Sequence, residues 1–255
     1  MRLHPKILYH INIPGSFNLF AVRPPFWYPR LMDKFFLKQN AGHLGITLND
    51  AQLDKFRIYH KELLNWNEKI NLVSEQSAKD ITARHFLDSL TALRFIDKQN
   101  ARVLDIGSGA GFPGIPLKIA RPSLEVYLVE SNRKKTSFLK YIVRELQLDK
   151  IIVVHDRAEH LMKKNIWKEF FDLVVSRAAF HLEEFIKFSS FFLSAQGQFI
   201  ALKGEGVETE FSQCVKNATT VNIFELLQYD TDVYPQGKKG KIIVGKRLKK
   251  DKKPF

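Results

Sequence analysis

The stretch VLDIGSGAGFPGIPLKIA, residues 103–120, constrains this chain more than any other. Val103, Leu104 and Ile106 read as a short buried strand with an acid, Asp105, near its end. Gly107, Gly109 and Gly111 alternate after it, and Gly114 follows. Glycine adopts left-handed backbone readily and lets the main chain come close to a neighbour. PGIPLKIARP then reads as a helix, with Pro113 suited to its first turn and Pro122 just beyond its end. Strand, glycine turn and helix make the opening unit of an open α/β sheet, whose ligands bind beyond the carboxyl ends of the strands.

The rest of the chain extends that unit. LEVYLVE (124–130), IIVVH (151–155), FDLVVSRA (171–178) and GQFIALKG (197–204) read as further strands. NRKKTSFLKYIVRELQL (132–148) and FHLEEFIKFSSFFL (180–193) read as helices between them, the second a core helix. Alternation of this kind predicts a parallel sheet with right-handed crossovers. ATTVNIFELLQYD and GKIIVGKRL form a late strand pair with no helix between them, which adds an antiparallel edge. Upstream, Asn49 is a candidate N-cap for a helix carrying Leu53, Phe56, Tyr59, Leu63 and Leu64 at helical spacing. A second helix from Ser77 carries Ile81, Phe86, Leu90, Leu93 and Ile96. The organisation expected is therefore a helical subdomain at 32–100, an α/β domain at 101–247 and a basic tail at 248–255. Residues 1–31 hold five prolines and no sustained periodicity, and lack the unbroken apolar core of a signal peptide. They read as an upstream start or a dispensable extension, with an arm lying on the domain or on RNA as the rival.

Charge narrows the partner. The chain has 40 Lys and Arg against 27 Asp and Glu, a formal +13, which favours a polyanion such as nucleic acid. Six basic residues stand in KRLKKDKKPF at the C-terminus. A single cysteine, Cys214, excludes an internal disulfide and a cysteine-based zinc cluster, and no metal site is expected. No apolar run reaches the ~18–20 residues that span a bilayer. A monomeric, cytoplasmic protein is expected.

Three ligands compete for the glycine loop. A phosphate-binding P-loop requires GxxxxGK[ST], which is absent after this strand. A dinucleotide GxGxxG is formally present from Gly109 to Gly114, with Glu130 about 20 residues on. The third is S-adenosylmethionine, which carries no pyrophosphate but a sulfonium and an ammonium, so an acid at Asp105 is electrostatically suited to it. Alternating Gly107, Gly109 and Gly111 would let the backbone pass the methionyl part, and Glu130 could accept hydrogen bonds from the ribose hydroxyls. The polar loop His155-Asp-Arg-Ala-Glu159 would meet the adenine. Each acid has a plainer role available: Asp105 could orient the glycine loop and Glu130 could cap the next helix. Their joint placement at three strand ends favours S-adenosylmethionine. An NAD-dependent oxidoreductase is the alternative, and a non-catalytic RNA-binding assembly factor is the reading from another class.

Residue types also restrict what is methylated. Base carbon-5 transfer commonly uses a cysteine after strand four, and Cys214 lies in a predicted helix beyond strand five. Exocyclic-amine transfer to adenine commonly uses an [ND]PP[YF] turn, whereas this turn reads Ser176-Arg-Ala-Ala-Phe180. A ring nitrogen with a free lone pair needs neither device, only positioning in a dry site. No general base is expected. Arg177, Lys203 and His85 are the candidate positioning residues; His85 and Asp88 share a helix face, facing the site or bracing the subdomain. Arg133, Lys134, Lys135 and Lys140 are candidates for RNA contact or ordinary exposed helix charges.

At this point the chain resembles a known family. VLDIGSGAGFPGIPL, DRAEH, FDLVVSRAAF and FIALKG, with LLNWNEKINLVS (63–74) and ARHFLDS (83–89), are similar to the RsmG (GidB) bacterial small-subunit rRNA guanine-N7 methyltransferases. The resemblance spans about residues 44–247, and GFPGIP is its most specific part. It implies a Rossmann-like class I methyltransferase fold, with cofactor contacts at Gly107, Phe112, Ala158, Glu159 and Arg177. It also implies a guanosine target in 16S rRNA, near the decoding region, as free rRNA or in the small ribosomal subunit. Strand two departs mildly in ending on Glu130 where relatives carry Asp; either acid can bind ribose.

Overall fold

The computed structural model describes residues 32–78, 80–204, 206–217, 223–231 and 240–248. The extension at 1–31 and the tail from 249 onward lie outside the described residues. The chain enters through α1 (Lys34–His43), whose N-terminus is capped by Asp33. Helix α2 (Asp50–Asn67) starts at the expected Asn49, which accepts from Gln52 N–H while the Gln52 side chain accepts from Asn49 N–H. This reciprocal capping box satisfies two otherwise orphaned donors. Leu53, Phe56, Tyr59 and Leu63 form its buried stripe, and each buried side chain contributes about 1.5–3 kcal/mol.

The next stretch departs from expectation. In place of one helix from Ser77, the chain makes α3 (Glu75–Ala78), a π-helical turn (Thr82–Leu87), α4 (Asp88–Thr91) and a 3-10 turn (Ala92–Phe95). Every residue from 81 to 93 except Arg84 is buried, so packing on all sides dictates the path. Side-chain hydroxyls also compete for helix carbonyls: Ser89 Oγ donates to His85 O at 2.6 Å and Thr91 Oγ1 to Asp88 O at 2.5 Å. The apolar positions read from sequence, Ile81, Phe86, Leu90, Leu93 and Ile96, are nonetheless all buried.

The α/β part follows as β1 (Arg102–Ile106), α5 (Gly114–Ala120), β2 (Glu125–Glu130), α6 (Arg133–Glu145), β3 (Ile151–His155), α7 (Ala158–Leu161) and β4 (Phe171–Arg177). It ends with α8 (Leu182–Phe192), β5 (Leu193–Lys203), α9 (Glu208–Lys216), β6 (Phe224–Thr231) and β7 (Gly240–Arg247). Seven strands form one sheet in the order β3-β2-β1-β4-β5-β7-β6. The first five run parallel. Strand β7 is the reversed one and lies between β5 and the outermost β6, so the late pair supplies the antiparallel edge as a two-strand unit.

Alternate side chains of each strand feed two cores. Val103, Val126, Leu173 and Val244 join α5, α6 and the helices before the sheet in one continuous core. Leu104, Val129, Val174 and Ile243 join α7, α8 and α9 in the other, where Phe185, Phe188 and Phe192 bury the phenylalanine run as expected. From β1 the chain winds one way through β2 and β3, then crosses back to β4 on the other side. The carboxyl ends of β1 and β4 therefore flank the switch point where open α/β sheets hold ligands.

Candidate active site

The glycine loop leaves β1 in a tight fold. Gly107 N–H and Ser108 N–H both donate to Val129 O of β2, at 2.9 and 3.0 Å, and Ser108 Oγ donates back to Asp105 O at 2.9 Å. Gly107, Gly109 and Gly111 all have positive φ, 71°, 58° and 99°. They differ in what lies beside them. A Cβ on Gly109 would meet only Gly107 O, at 3.9 Å, so this residue faces open space. A Cβ on Gly107 would come within 2.7 Å of Ala179 Cβ and 3.2 Å of the Phe180 ring. A side chain at Gly107 would thus strike the loop after β4, and only glycine lets the two loops meet there. Gly111 is more crowded, because its Cβ would strike the Ile115 side chain and come within 2.9 Å of Tyr59 Oη. It is a packing glycine that lets α2 and α5 close on the loop. Gly114 likewise abuts Leu128 and Asp105.

Asp105 is fully buried. One oxygen, Oδ2, accepts from Gly114 N–H at 2.9 Å, and the other, Oδ1, has no partner. Burial raises its pKa to about 7, against the Gly114 hydrogen bond and the Arg177 charge, which lower it. The carboxylate sits where the first turn of α5 would otherwise attract an anion, so a dinucleotide pyrophosphate would meet a negative group there. This geometry disfavours the NAD alternative. Glu130 is also largely buried and accepts from two backbone donors, Gly109 N–H to Oε2 at 2.8 Å and Asn132 N–H to Oε1 at 2.7 Å. Glu130 thus braces the glycine loop at Gly109 and the entry to α6 at Asn132, and each oxygen keeps a second lone pair.

Beyond β3, Ala158 is buried at the first position of α7 and Glu159 beside it is exposed. Asp156 is engaged in its own loop, accepting from Arg157 N–H and pairing with Lys164 Nζ and His160 Nδ1 at 3.0 Å each. His155 Nε2 lies 3.0 Å from Ser131 O.

At the end of β4, Arg177 points toward the helices before the sheet. Its Nη1 donates to Arg84 O at 3.0 Å and stands 3.7 Å from Asp88 Oδ2. The guanidinium lies over the ring of Phe112. Phe112 itself is buried, stacked on Tyr59 at 5.5 Å and on His85 at 4.7 Å. Its ring is enclosed by protein, and its main chain lies on the glycine loop. His85 is buried with neither ring nitrogen bonded, and burial followed by the Arg177 and Arg84 charges lowers its pKa to about 2. The helix-face pairing of His85 with Asp88 therefore resolves into two contacts, His85 on Phe112 and Asp88 beside Arg177. Lys203 is not a solvated lysine: Nζ donates to Phe180 O at 2.5 Å and to Glu210 Oε2 at 3.0 Å.

Sequence reasoning missed two of these contributors. Tyr59, read only as core, donates its hydroxyl to Ala110 O at 2.5 Å and so pins the glycine loop to α2. Glu210 lies in a segment that carried no motif.

Residues 52–232 match the family described as GidB, rRNA small subunit methyltransferase G. The chain belongs to the rRNA small subunit methyltransferase G family. Relatives bearing that name include one from Syntrophus aciditrophicus, 45% identical over 174 residues, which span 68% of this chain and 72% of the relative. Another, from Desulfitobacterium hafniense, is 42% identical over 178 residues, 70% of this chain and 74% of the relative. Among solved structures, M. jannaschii TYW2 in complex with AdoMet superposes with a TM-score of 0.50 at 18% identity, over 71% of this chain and 80% of that one. A putative transferase, PH0793 from Pyrococcus horikoshii, gives 0.50 at 13% identity over 64% of each chain. These two likenesses establish the class I methyltransferase fold. Every side chain described above, from Tyr59 to Glu210, falls inside the segment that matches the methyltransferase G family. No helix among the described residues is long and apolar enough to cross a membrane.

Proposed function

We propose that this protein transfers a methyl group from S-adenosylmethionine to N7 of a guanosine in small-subunit (16S) rRNA. The observation that carries the reading is a glycine loop at the switch point of the sheet braced by two buried acids, Glu130 at Gly109 N–H and Asp105 at Gly114 N–H, with Gly109 itself facing open space. Those residues fit the cofactor. Glu130 retains lone pairs for two ribose hydroxyls, and the orphaned Asp105 Oδ1 is a buried acceptor in want of a cationic neighbour. When bound, S-adenosylmethionine supplies a methyl group on a cationic sulfur, which a lone-pair donor can take without a proton leaving.

The chain's own residues then have limited work. Gly109 leaves room for the ligand, Glu130 orients its ribose, and Ala158 and Glu159 stand where the adenine would lie. Arg177, held by Arg84 O and Phe112, presents a permanent positive charge at the end of β4. Guanine N7 carries no proton at neutral pH, so no base is required. The titratable groups nearest the turn suit this: His85 stays neutral down to about 2, and burial holds the Tyr59 hydroxyl well above its usual range. The excess of basic residues favours an RNA partner.

The test is transfer of radiolabelled methyl to unmethylated 16S rRNA and to small subunits, with the labelled nucleotide mapped. Label at a guanine N7 supports the reading. Cofactor binding without transfer to either substrate would favour the non-catalytic assembly factor instead.

A further inference from the structure

Glu210, in the first turn of α9, meets three groups at once. Its Oε2 accepts from Leu182 N–H at 2.8 Å and from Lys203 Nζ at 3.0 Å, and stands 3.7 Å from His181 Nδ1. Lys203 passes the restraint on by donating to Phe180 O. The loop 178–181 is thereby tied at its far end to α9, while its near end turns through Ala178, whose φ of 51° is left-handed. Ala178 N–H donates to Leu202 O at 3.0 Å, which fixes that turn against β5. Between these two anchors, Ala179 and Phe180 lie directly against Gly107. A left-handed alanine costs about 1 kcal/mol, so this conformation needs a tether to persist.

We propose that Glu210 is a positioning residue for methyl transfer: acting through Lys203 and the Leu182 amide, it holds Ala179 and Phe180 against the glycine loop, at the place where cofactor and target base must meet. The inference rests on the function proposed above. Glu210 touches neither reactant. Its effect is on the placement of the β4 loop, and a misplacement of about 1 Å costs on the order of a hundredfold in rate.

The test compares Glu210→Ala, Glu210→Gln and Lys203→Met with wild type, each checked for melting temperature. Hydrogen exchange is read on the unliganded proteins. Glu210→Ala should speed exchange of the two hydrogen-bonded amides that anchor the loop, Leu182 and Ala178, by about tenfold or more, with the amides of β1 unchanged. The turnover number per folded molecule should fall about tenfold or more, while the KM for rRNA stays within about twofold. Glu210→Gln keeps an acceptor for Leu182 N–H and should fall in between; should Glu210→Ala not fold, Glu210→Gln carries the test. Losses from Glu210→Ala and Lys203→Met should not add in the double variant, because both act on one tether. Faster exchange with an unchanged turnover number overturns the proposal, and so does unchanged exchange. A wild type that methylates no rRNA fails the proposed function and takes the role of Glu210 in transfer with it. An active wild type matched by its Glu210 variants fails the tether alone.

Discussion

Arg177 rests its guanidinium carbon 4.7 Å from the centre of the Phe112 ring. One residue ends β4 and the other closes the glycine loop, so a single cation–π contact joins the two chain segments that flank the switch point. The same arginine also bonds Arg84 O, in the π-helical turn. Three parts of the molecule thus meet on one side chain.

Replacing Arg177 by alanine should cost about 2 kcal/mol of stability, the sum of a charge-assisted hydrogen bond and a cation–π contact. Arg177→Lys should recover less than half, because an ammonium cannot both stack flat on the ring and reach the carbonyl. Urea titration measures this. With saturating cofactor, the single-turnover rate should fall in both variants yet stay flat from about pH 6.5 to about 9, as expected when no base acts. A log-rate slope of one in that range would point to an exocyclic amine or a hydroxyl as the target.

Asp105 should make cofactor affinity depend on pH. Its pKa is raised from 3.8 to about 7 by burial, so the unliganded protein carries a proton there below that pH. A cationic ligand favours the ionised form, and binding must release the proton. The Kd should therefore fall by roughly tenfold per pH unit up to about 7 and level off above it. Calorimetry in buffers of differing ionisation enthalpy would count the proton, and Asp105→Asn should abolish both the release and the pH dependence.

The glycines should separate into two kinds. Gly111→Ala places a Cβ against Ile115 and Tyr59 at φ 99°, and should lower stability by roughly 2–4 kcal/mol. Gly109→Ala meets no such obstacle, and its left-handed φ of 58° costs only about 1–2 kcal/mol. Its main effect should be on cofactor affinity, through the face it leaves open. Thermal melts paired with binding titrations distinguish the two.

Acid should unfold the protein partly through His60, whose pKa burial lowers from 6.5 to about 4. A depressed folded-state value means stability present above pH 6.5 and lost progressively as pH falls to about 4, on the order of 3 kcal/mol. Asp105 works with the opposite sign between 3.8 and about 7, since its raised folded-state value stabilises the protonated protein. The difference between wild type and His60→Leu across urea titrations at several pH values isolates the histidine. A pH-independent difference would exclude the effect.

The strand ends were legible in the sequence because each is marked by a short apolar run closing on a polar residue: Asp105, Glu130, His155 and Arg177 all stand at or one residue from the last position of β1 to β4. The Asn49 cap was legible for the same local reason. What escaped depends on distant partners. Gly111 carries the same signature as Gly109, and only the approach of Tyr59 and Ile115 makes it a packing residue. The stacking of the Phe112 ring on Tyr59 and His85 joins residues far apart in the chain. Lys203 reads as a free charge until Glu210 comes alongside. The break in the second predicted helix was hidden because a segment buried on every side shows no surface pattern to interrupt.

The first core runs from Leu37 through Phe86 and Phe112 to Val126 and Val244 without a seam between the helices and the sheet. A cut at Gln99 or Asn100, both exposed, would leave two pieces with raw apolar faces, Leu53, Phe56 and Leu63 on one and Ile115, Leu117 and Ile142 on the other. Such pieces should reassociate rather than fold apart, which makes this connection a place to build a fragment-complementation reporter. Its signal would also report the ligand site, because Tyr59 of one piece must close on Ala110 of the other before the glycine loop takes shape.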